Sequence, residues 1–463
     1  MSTSYEALKA RAEAAGQEHL LRYYAELPEE GKAKLLEQIS RLDMDRMARL
    51  FAGVGQPPEL TGTMEPIEAV HWVDYSEAQQ RQFEAAGWEA LRQGQVGALV
   101  VAGGQGSRLG HEGPKGTYDI GLPSGKSLFQ LQAERMLRLS RLAERTLPWY
   151  IMTSPENHGD TVRFFESHSY FGYPREDIVF FRQGVLPALD EEGRVLLSAK
   201  DEISFAPSGN GEVFASLKQS GALEDLKRRG VEWLFYYNVD NALIAIADPA
   251  FVGVAAHYNH PVATKVVEKS YPEEKVGILC RRNGRPAVVE YTDVPPDLMY
   301  ERDSRSRYVY GLGNISIHLF RTDFIEKHAE TDLPYHAAHK KIRTLDEAGE
   351  PYTPQEPNAY KFERFIFDFF PLMEEMTVLR MEREREFAPV KNKEGADSPA
   401  TARELVLGLH KRWLLAAGVD PAALEGREIE ISPLDSFGGE GLTEEVLRRY
   451  GLEVTGTAIQ FEE

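Results

Sequence analysis

Apolar positions follow two different patterns along the chain. From residue 5 to about 50 they recur every three or four residues: Leu8, Ala12, Leu20, Tyr23 and Tyr24, then Leu35, Ile39, Leu42 and Met47. This spacing predicts helices with one buried face. Pro57 and Pro58, followed by Gly62, predict a break, and a second helical stretch is expected over about 76–93. From 96 onward apolar residues bunch into short continuous runs at 96–101, 149–152, 179–181, 233–239 and 262–267. Such runs predict strands buried on both faces of a mostly parallel sheet. An amphipathic stretch at 127–143, carrying Leu128, Leu131, Met136, Leu139 and Leu142, reads as a helix between the first two strands. The expected class is therefore α/β, with the core over about 96 to 375. Beyond 396, a helix at 401–417 and alternating segments at 428–431 and 452–457 predict a small α+β appendage.

Composition narrows the function classes. The 463 residues are 42% hydrophobic and 27% charged, which is ordinary for a folded chain of several domains. Lys and Arg number 53 against 73 Asp and Glu, a net charge of −20. That balance argues against a general nucleic-acid binder, which needs a basic footprint; a local basic pocket for a small anion remains compatible with it. Cys280 is the only cysteine, so no intramolecular disulfide can form. No run of 18 apolar residues predicts a membrane span, and the charged start MSTSYEALKARAEAAG lacks a signal-peptide core. The expectation is a soluble cytoplasmic protein with neither nucleic-acid nor membrane partners.

Candidate chemistry begins where the first strand ends, at Val101-Ala-Gly-Gly-Gln-Gly-Ser-Arg-Leu-Gly110. Gly103, Gly104 and Gly106 are expected to take positive φ and to let backbone approach a ligand closely. Successive backbone N–H groups in such a turn make an anion-binding concavity. Arg108 adds a planar cation suited to phosphate oxygens, and Pro114-Lys-Gly116 supplies a second one, Lys115. Two commoner loops are excluded. The dinucleotide fingerprint fails because Leu109 stands where Gly or Ala is required. A Walker A loop at Gly121-Leu-Pro-Ser-Gly-Lys-Ser127 is one residue short, with Ile120 where the first Gly belongs.

Together these residues resemble the signature of sugar-1-phosphate nucleotidylyltransferases. The continuation Gly121-Leu-Pro-Ser-Gly-Lys-Ser-Leu-Phe-Gln-Leu-Gln-Ala-Glu-Arg135 resembles one branch, the UDP-N-acetylhexosamine pyrophosphorylases of eukaryotic type. Further similar segments follow in order. They include Arg182-Gln-Gly-Val-Leu-Pro-Ala188, Ala206-Pro-Ser-Gly-Asn-Gly211, Asn238-Val-Asp-Asn241, Lys265-Val-Val-Glu-Lys269 and Glu386-Phe-Ala-Pro-Val-Lys-Asn392. The chain departs from the pattern at Ser107, Ser208 and Glu212 and is looser over 313–318. The resemblance implies a Rossmann-like nucleotidyltransferase core. The expected division is a helical N-terminal segment at 1–95, the catalytic domain at 96–390 and an α+β domain at 391–463.

The reaction implied is UTP plus an N-acetylhexosamine 1-phosphate, foremost N-acetylglucosamine 1-phosphate, giving UDP-sugar and pyrophosphate. Alternatives are glucose or galactose 1-phosphate as acceptor, or a nucleotide-sugar-binding protein without turnover. By resemblance, Gly103 and Gly104 cradle the nucleotide, and Arg108 and Lys115 hold the β- and γ-phosphates. Gln183 reads uracil, because a side-chain amide matches the donor–acceptor edge of the base, and Gly184 allows close approach. Lys391 becomes the cation on the sugar phosphate. Gly209, Asn210, Gly277, Glu290 and Asn314 become sugar contacts. Asp240 ends an apolar strand, where α/β sheets bind ligands, and suits Mg²⁺, which needs one or two carboxylates beside phosphate oxygens. Three other features read as structural: His336 and His339 on an expected helix, the aromatic run at 362–370 as core, and Glu382-Arg-Glu-Arg-Glu386 as a solvated charged segment.

Overall fold

The computed structural model describes residues 4–55 and 62–454. The expected break at Pro57 and Pro58, and the far end of the segment at 452–457, lie outside them. Packing divides the chain into two compact units that interleave in sequence. One unit comprises the described residues of Met1–Gly62 with Gln183–Val213 and Asp332–Asp368; the other comprises Thr63–Arg182, Phe214–Thr331 and the described part of Phe369–Glu463. The expected domains cut the chain at two points, at 95/96 and 390/391, whereas the compact units are assembled from separated stretches.

The larger unit is built on an eleven-stranded sheet, eight of whose strands form its main path in sequence-scrambled order. In chain order these are β1 (Val70–His71), β2 (Val96–Val101), β3 (Trp149–Thr153), β4 (Ile178–Arg182), β5 (Trp233–Asn238), β6 (Val262–Glu268), β7 (Leu312–Arg321) and β8 (Thr377–Arg380). Across the sheet they run β1-β8-β6-β7-β5-β2-β3-β4. All neighbours pair in parallel except at β7, which is antiparallel to both β5 and β6. The expected mostly parallel α/β sheet is thus the observed one. β2 and β5 are buried along all but their last residue, and β3 along its whole length, which is why their sequences read as continuous apolar runs. A hairpin of Ile278–Arg282 and Arg285–Val289 joins the edge of β7 through Ile278 and Gly313.

Helices cover the sheet. Glu77–Arg92 starts at a capping box formed by Ser76 and Gln79. It crosses Pro249–Tyr258 with almost no space between: a Cβ on Gly87 would lie 1.8 Å from Pro249 O, and one on Gly253 1.8 Å from Phe83 O. Leu128–Leu142 turns Phe129, Ala133, Met136 and Leu139 into the core. Pro399–Ala416 is the expected C-terminal helix. The alternation at 428–431 does not form a strand, and Val454 makes only an isolated bridge to Val419. Two apolar residues in a four-residue alternation are too few to pair without a neighbouring edge.

The smaller unit packs Tyr5–Ala14, Glu29–Arg41 and Met44–Ala52 onto short antiparallel strands. Its core holds Leu8, Leu20, Leu35, Ile39, Leu186, Leu189, Val195 and Phe362. Here the helix expected around His336 and His339 is corrected. His336–Lys340 is a strand paired with Ala359–Glu363, and its exposed and half-buried residues alternate with the period of a strand. The aromatic run divides between the units. Phe362 is core in the smaller unit, Phe369 and Phe370 are buried in the larger, and Phe365 and Phe367 stack on each other, half-buried.

Candidate active site

The carboxyl ends of three parallel strands, β2, β3 and β5, carry one cluster. After β2 the Gly-rich loop folds back on itself: Gly106 N donates to Gly113 O (2.9 Å) and Lys115 N to Gly104 O (3.0 Å). Lys115 therefore returns to the residues just beyond the strand. Positive φ falls at Gly110 (73°) and Gly113 (137°), and not at Gly103, Gly104 or Gly106, where it was expected. Of these, Gly106 is needed for space. A Cβ on Gly106 would lie 2.7 Å from His111, whereas one on Gly104 would meet nothing within 4 Å, so the loop's face at Gly104 is open. Arg108 is exposed and makes no ion pair among the described residues. Lys393 reaches the same loop, its Cε 3.8 Å from where a Cβ on Gly110 would stand.

Asp240 follows β5. Its Oδ2 lies 3.1 Å from Lys115 Nζ, with the two side chains 20% and 17% exposed. Its backbone is fixed from both sides. Gln132 Nε2 donates to Val239 O (2.9 Å), and Val390 N donates to Asp240 O (2.9 Å). Asn241 is buried and ties the segment before Lys391 to this turn, donating to Glu386 O (2.7 Å) and accepting from Ala388 N (2.9 Å). Lys391 thus stands one residue from a backbone bond to Asp240, and its Nζ lies 3.6 Å from Asp397 Oδ2. Gly103, Gly104, Arg108, Lys115, Asp240 and Lys391 are brought together.

Residues not singled out in the sequence hold this cluster in place. Asn157, fully buried after β3, donates to Ala102 O (2.9 Å) and Gly104 O (3.3 Å), stapling the loop to the sheet. The Ser154-Pro-Glu-Asn157 turn after an apolar strand is the one signal that pointed there. Glu386 is corrected as well. It is not solvated: it is 3% exposed and its Oε1 lies 2.6 Å from Lys265 Nζ. Lys265 is fully buried and also lies 2.7 Å from Asp248. Burial opposes the lysine's charge, but Asp248 and Glu386 outweigh it and hold its pKa above the ordinary value. Burial dominates at Glu386 and pushes its carboxyl up.

A second cluster in the same unit sits where β7 bulges. The register against β6 shifts between Lys265 and Val266, and Ser316 takes φ 55°. Asn314 N donates to Gly277 O (2.8 Å), its Oδ1 accepts from Ser316 N (3.1 Å), and Glu290 Oε1 lies 3.7 Å from where a Cβ on Gly277 would stand. Gly277, Glu290 and Asn314 are therefore neighbours.

The remaining expected residues form a third cluster in the smaller unit. Gln183 is buried, and Gly184 O accepts from Ser208 N (3.1 Å). Gly209, at φ 90°, leaves no room for a side chain, since a Cβ would lie 2.3 Å from Arg364 O. Asn210 Oδ1 accepts from Ile366 N (2.9 Å), leaving its amide donors for another partner. Glu212, one of the departures from the family pattern, accepts from Arg364 (3.1 Å) and Tyr335 (3.0 Å) and so locks this loop onto the strand at 359–363.

Among the described residues no cluster of three or more His, Cys, Asp or Glu forms a metal cage. Asp240 fits the other way of holding Mg²⁺, in which a single carboxylate assists phosphate oxygens. Its Oδ1 accepts no hydrogen bond among the described residues and its only ion pair there is Lys115. No helix among these residues is long and apolar enough to cross a membrane.

Comparisons with known proteins show the family. The family described as UTP--glucose-1-phosphate uridylyltransferase matches residues 50–436. The human UDP-N-acetylhexosamine pyrophosphorylase-like protein 1 is 40% identical, covering 94% of this chain and 93% of its own. UDP-N-acetylglucosamine diphosphorylase 2 of Arabidopsis thaliana is 39% identical over 95% of this chain and 91% of its own. The crystal structure of the uridine diphosphate N-acetylglucosamine pyrophosphorylase from Trypanosoma brucei superposes with a TM-score of 0.82 at 32% identity, over 97% and 95% of the two chains. The chain belongs to the UTP–glucose-1-phosphate uridylyltransferase family, on its UDP-N-acetylhexosamine pyrophosphorylase side.

Proposed function

We propose that this protein transfers the uridylyl group of UTP to N-acetylglucosamine 1-phosphate, releasing pyrophosphate. The observation that carries the reading is the first cluster: an open Gly-rich loop, Lys115 paired with Asp240, and Lys391 fastened to the same turn. The sugar-phosphate oxygen attacks the α-phosphorus of UTP in line, the α–β bridging bond breaks, and pyrophosphate leaves. Such a reaction asks for positioning and charge neutralisation more than acid–base chemistry.

Gly103 and Gly104 present backbone N–H groups to the nucleotide. Arg108 and Lys115 bind the β- and γ-phosphates and stabilise the charge that the leaving pyrophosphate develops. Lys391 holds the incoming sugar phosphate. Gln183 pairs with the uracil edge while Gly184 lets the base approach. Asn210, through its amide donors, and Gly209 are assigned to sugar contacts in the smaller unit; Gly277, Glu290 and Asn314 are assigned to sugar hydroxyl and acetamido contacts in the larger unit. Asp240 would hold Mg²⁺, which supplies Lewis-acid neutralisation of the phosphates when bound. With Asp240 turned to the ion, Lys115 would be released from its carboxylate partner to bind the phosphates. The absence of a membrane-length apolar helix among the described residues is compatible with action on soluble substrates in the cytoplasm.

The testing experiment is kcat/KM with UTP against a panel of hexose and hexosamine 1-phosphates, followed by pyrophosphate release. N-Acetylglucosamine 1-phosphate is expected to lead. Glucose or galactose 1-phosphate matching or exceeding it would overturn the choice of acceptor.

A further inference from the structure

Lys265 is a lysine inside the main sheet. It stands in β6 between Thr264 and Val266, all three fully buried, at the point where the register against β7 shifts. A shift of this kind re-aims a side chain. Here the ammonium meets two carboxylates from outside the sheet: Nζ lies 2.7 Å from Asp248 Oδ2 and 2.6 Å from Glu386 Oε1.

Each carboxylate marks the end of a stretch that reaches the first cluster. Asp248 closes the stretch that leaves β5 through Asp240, and it caps the helix Pro249–Tyr258 by accepting from Ala250 N (3.1 Å). Glu386 opens the stretch that runs to Lys391. Between those points the two stretches are laced together. Asn241 binds Glu386 O and Ala388 N, Ala242 N donates to Ala388 O (3.0 Å), and Val390 N donates to Asp240 O (2.9 Å). Lys265 grips the Glu386 end of this lacing and the Asp248 end of the other stretch with one group.

The fold alone does not ask for charge here. Apolar side chains of similar volume often hold a buried position as well as an ion pair or better. What an apolar contact lacks is direction: it tolerates sliding, whereas charge-assisted hydrogen bonds to one ammonium fix two backbones relative to a third strand. Precision of that kind matters for in-line attack, where a displacement of about 1 Å can cost about a hundredfold in rate.

We propose that Lys265 is a positioning residue for uridylyl transfer: by holding Asp248 and Glu386 together, it fixes the stretch carrying Asp240 against the stretch carrying Lys391. The role rests on the reaction proposed above. Lys265 touches no substrate, so its removal is felt in turnover rather than in the binding of UTP to the Gly-rich loop.

The test uses the full chain. Lys265→Met alone would strand two buried carboxylates and destabilise the protein. The main variant is therefore Lys265→Met combined with Asp248→Asn and Glu386→Gln, which removes all three charges, keeps the shapes and keeps a side-chain cap at 248. Its urea midpoint and its calorimetric affinity for Mg²⁺-free UTP are expected to stay close to wild type. Its kcat with N-acetylglucosamine 1-phosphate is expected to fall about 30- to 100-fold. A kcat within about threefold of wild type would overturn the role, and so would a fall matched by equal losses in UTP affinity and stability, which is the mark of a purely structural residue. Glu386→Gln alone leaves Lys265 its Asp248 partner and serves as the milder variant. Its kcat is expected to fall about fivefold with UTP affinity unmoved, and an unchanged kcat there counts against the role in the same way. A wild-type protein that forms no UDP-N-acetylglucosamine would overturn the reaction itself and this role with it; an active wild type beside an equally active triple variant overturns the role of Lys265 alone.

Discussion

Replacing Lys115 by Met keeps the aliphatic stem and removes the charge. At 3.1 Å from Asp240 Oδ2, the Coulomb attraction at an effective dielectric of about 20 is about 5 kcal/mol. Both groups are about a fifth exposed, so water screens the pair and desolvation offsets much of that attraction. The net loss to folding should be about 1 kcal/mol, because Asp240 remains hydrated when its partner goes. The loss to catalysis should be larger. A cation aimed at charge that develops on the leaving pyrophosphate resembles an oxyanion donor, whose removal costs about 2–4 kcal/mol, or about 30- to 1,000-fold in rate. The assay is continuous pyrophosphate release, with urea unfolding on the same preparations. A fall in kcat/KM within that window, with the unfolding midpoint nearly unchanged, is expected. A kcat/KM within about threefold of wild type would refute the phosphate role of Lys115 and leave it as a structural partner of Asp240.

Four further outcomes follow from particular contacts. Asp240→Asn keeps shape but loses the charge that would hold Mg²⁺, so turnover should fall by about two orders of magnitude or more at limiting Mg²⁺; full activity there would leave the ion to the phosphates alone. With Gln183 set to read the uracil edge, ATP, GTP and CTP should react far more slowly than UTP, since a mismatched base leaves buried polar groups unpaired; comparable ATP turnover removes that role. Gly87→Ala forces a methyl to 1.8 Å from Pro249 O, and the helix pair must separate, at a cost of about 3 kcal/mol or more in denaturant unfolding; a loss under about 1 kcal/mol would contradict the packing. Burial lowers the pKa of His318 from 6.5 to about 3, so its contribution to stability is full above pH 6.5 and is lost as pH falls towards 3. His318→Gln should therefore flatten the decline in stability between pH 6.5 and 4.5 by about 2–3 kcal/mol, and an unchanged slope would place the acid sensitivity elsewhere.

The central sheet was legible because β2, β3 and β5 are buried on both faces and so spell continuous apolar runs. The first cluster was legible because its loop is local: thirteen residues from Gly103 to Lys115 carry glycine, arginine and lysine together. What stayed hidden is non-local. Glu386 looks like one more charge in a solvated run, and only the fold brings Lys265, 121 positions away, into contact with it. Asn157 works through backbone carbonyls of a distant loop, and its turn after an apolar strand marks the place but not those partners. The strand at His336–Lys340 was mistaken for a helix because two histidines three apart share a face only on a helix, and the two alanines between them carry no alternation that would reveal a strand. The smaller unit draws on three separated stretches, so no boundary in composition marks it.

The most direct test follows product formation atom by atom. The protein is incubated with UTP, N-acetylglucosamine 1-phosphate and Mg²⁺ while ³¹P NMR is recorded. Resonances of UDP-N-acetylglucosamine and pyrophosphate are expected to grow together in equal amounts, with the sugar-phosphate signal declining in step. Inorganic phosphate or UMP in place of the nucleotide sugar, or no change in either substrate, would contradict the uridylyl transfer proposed here.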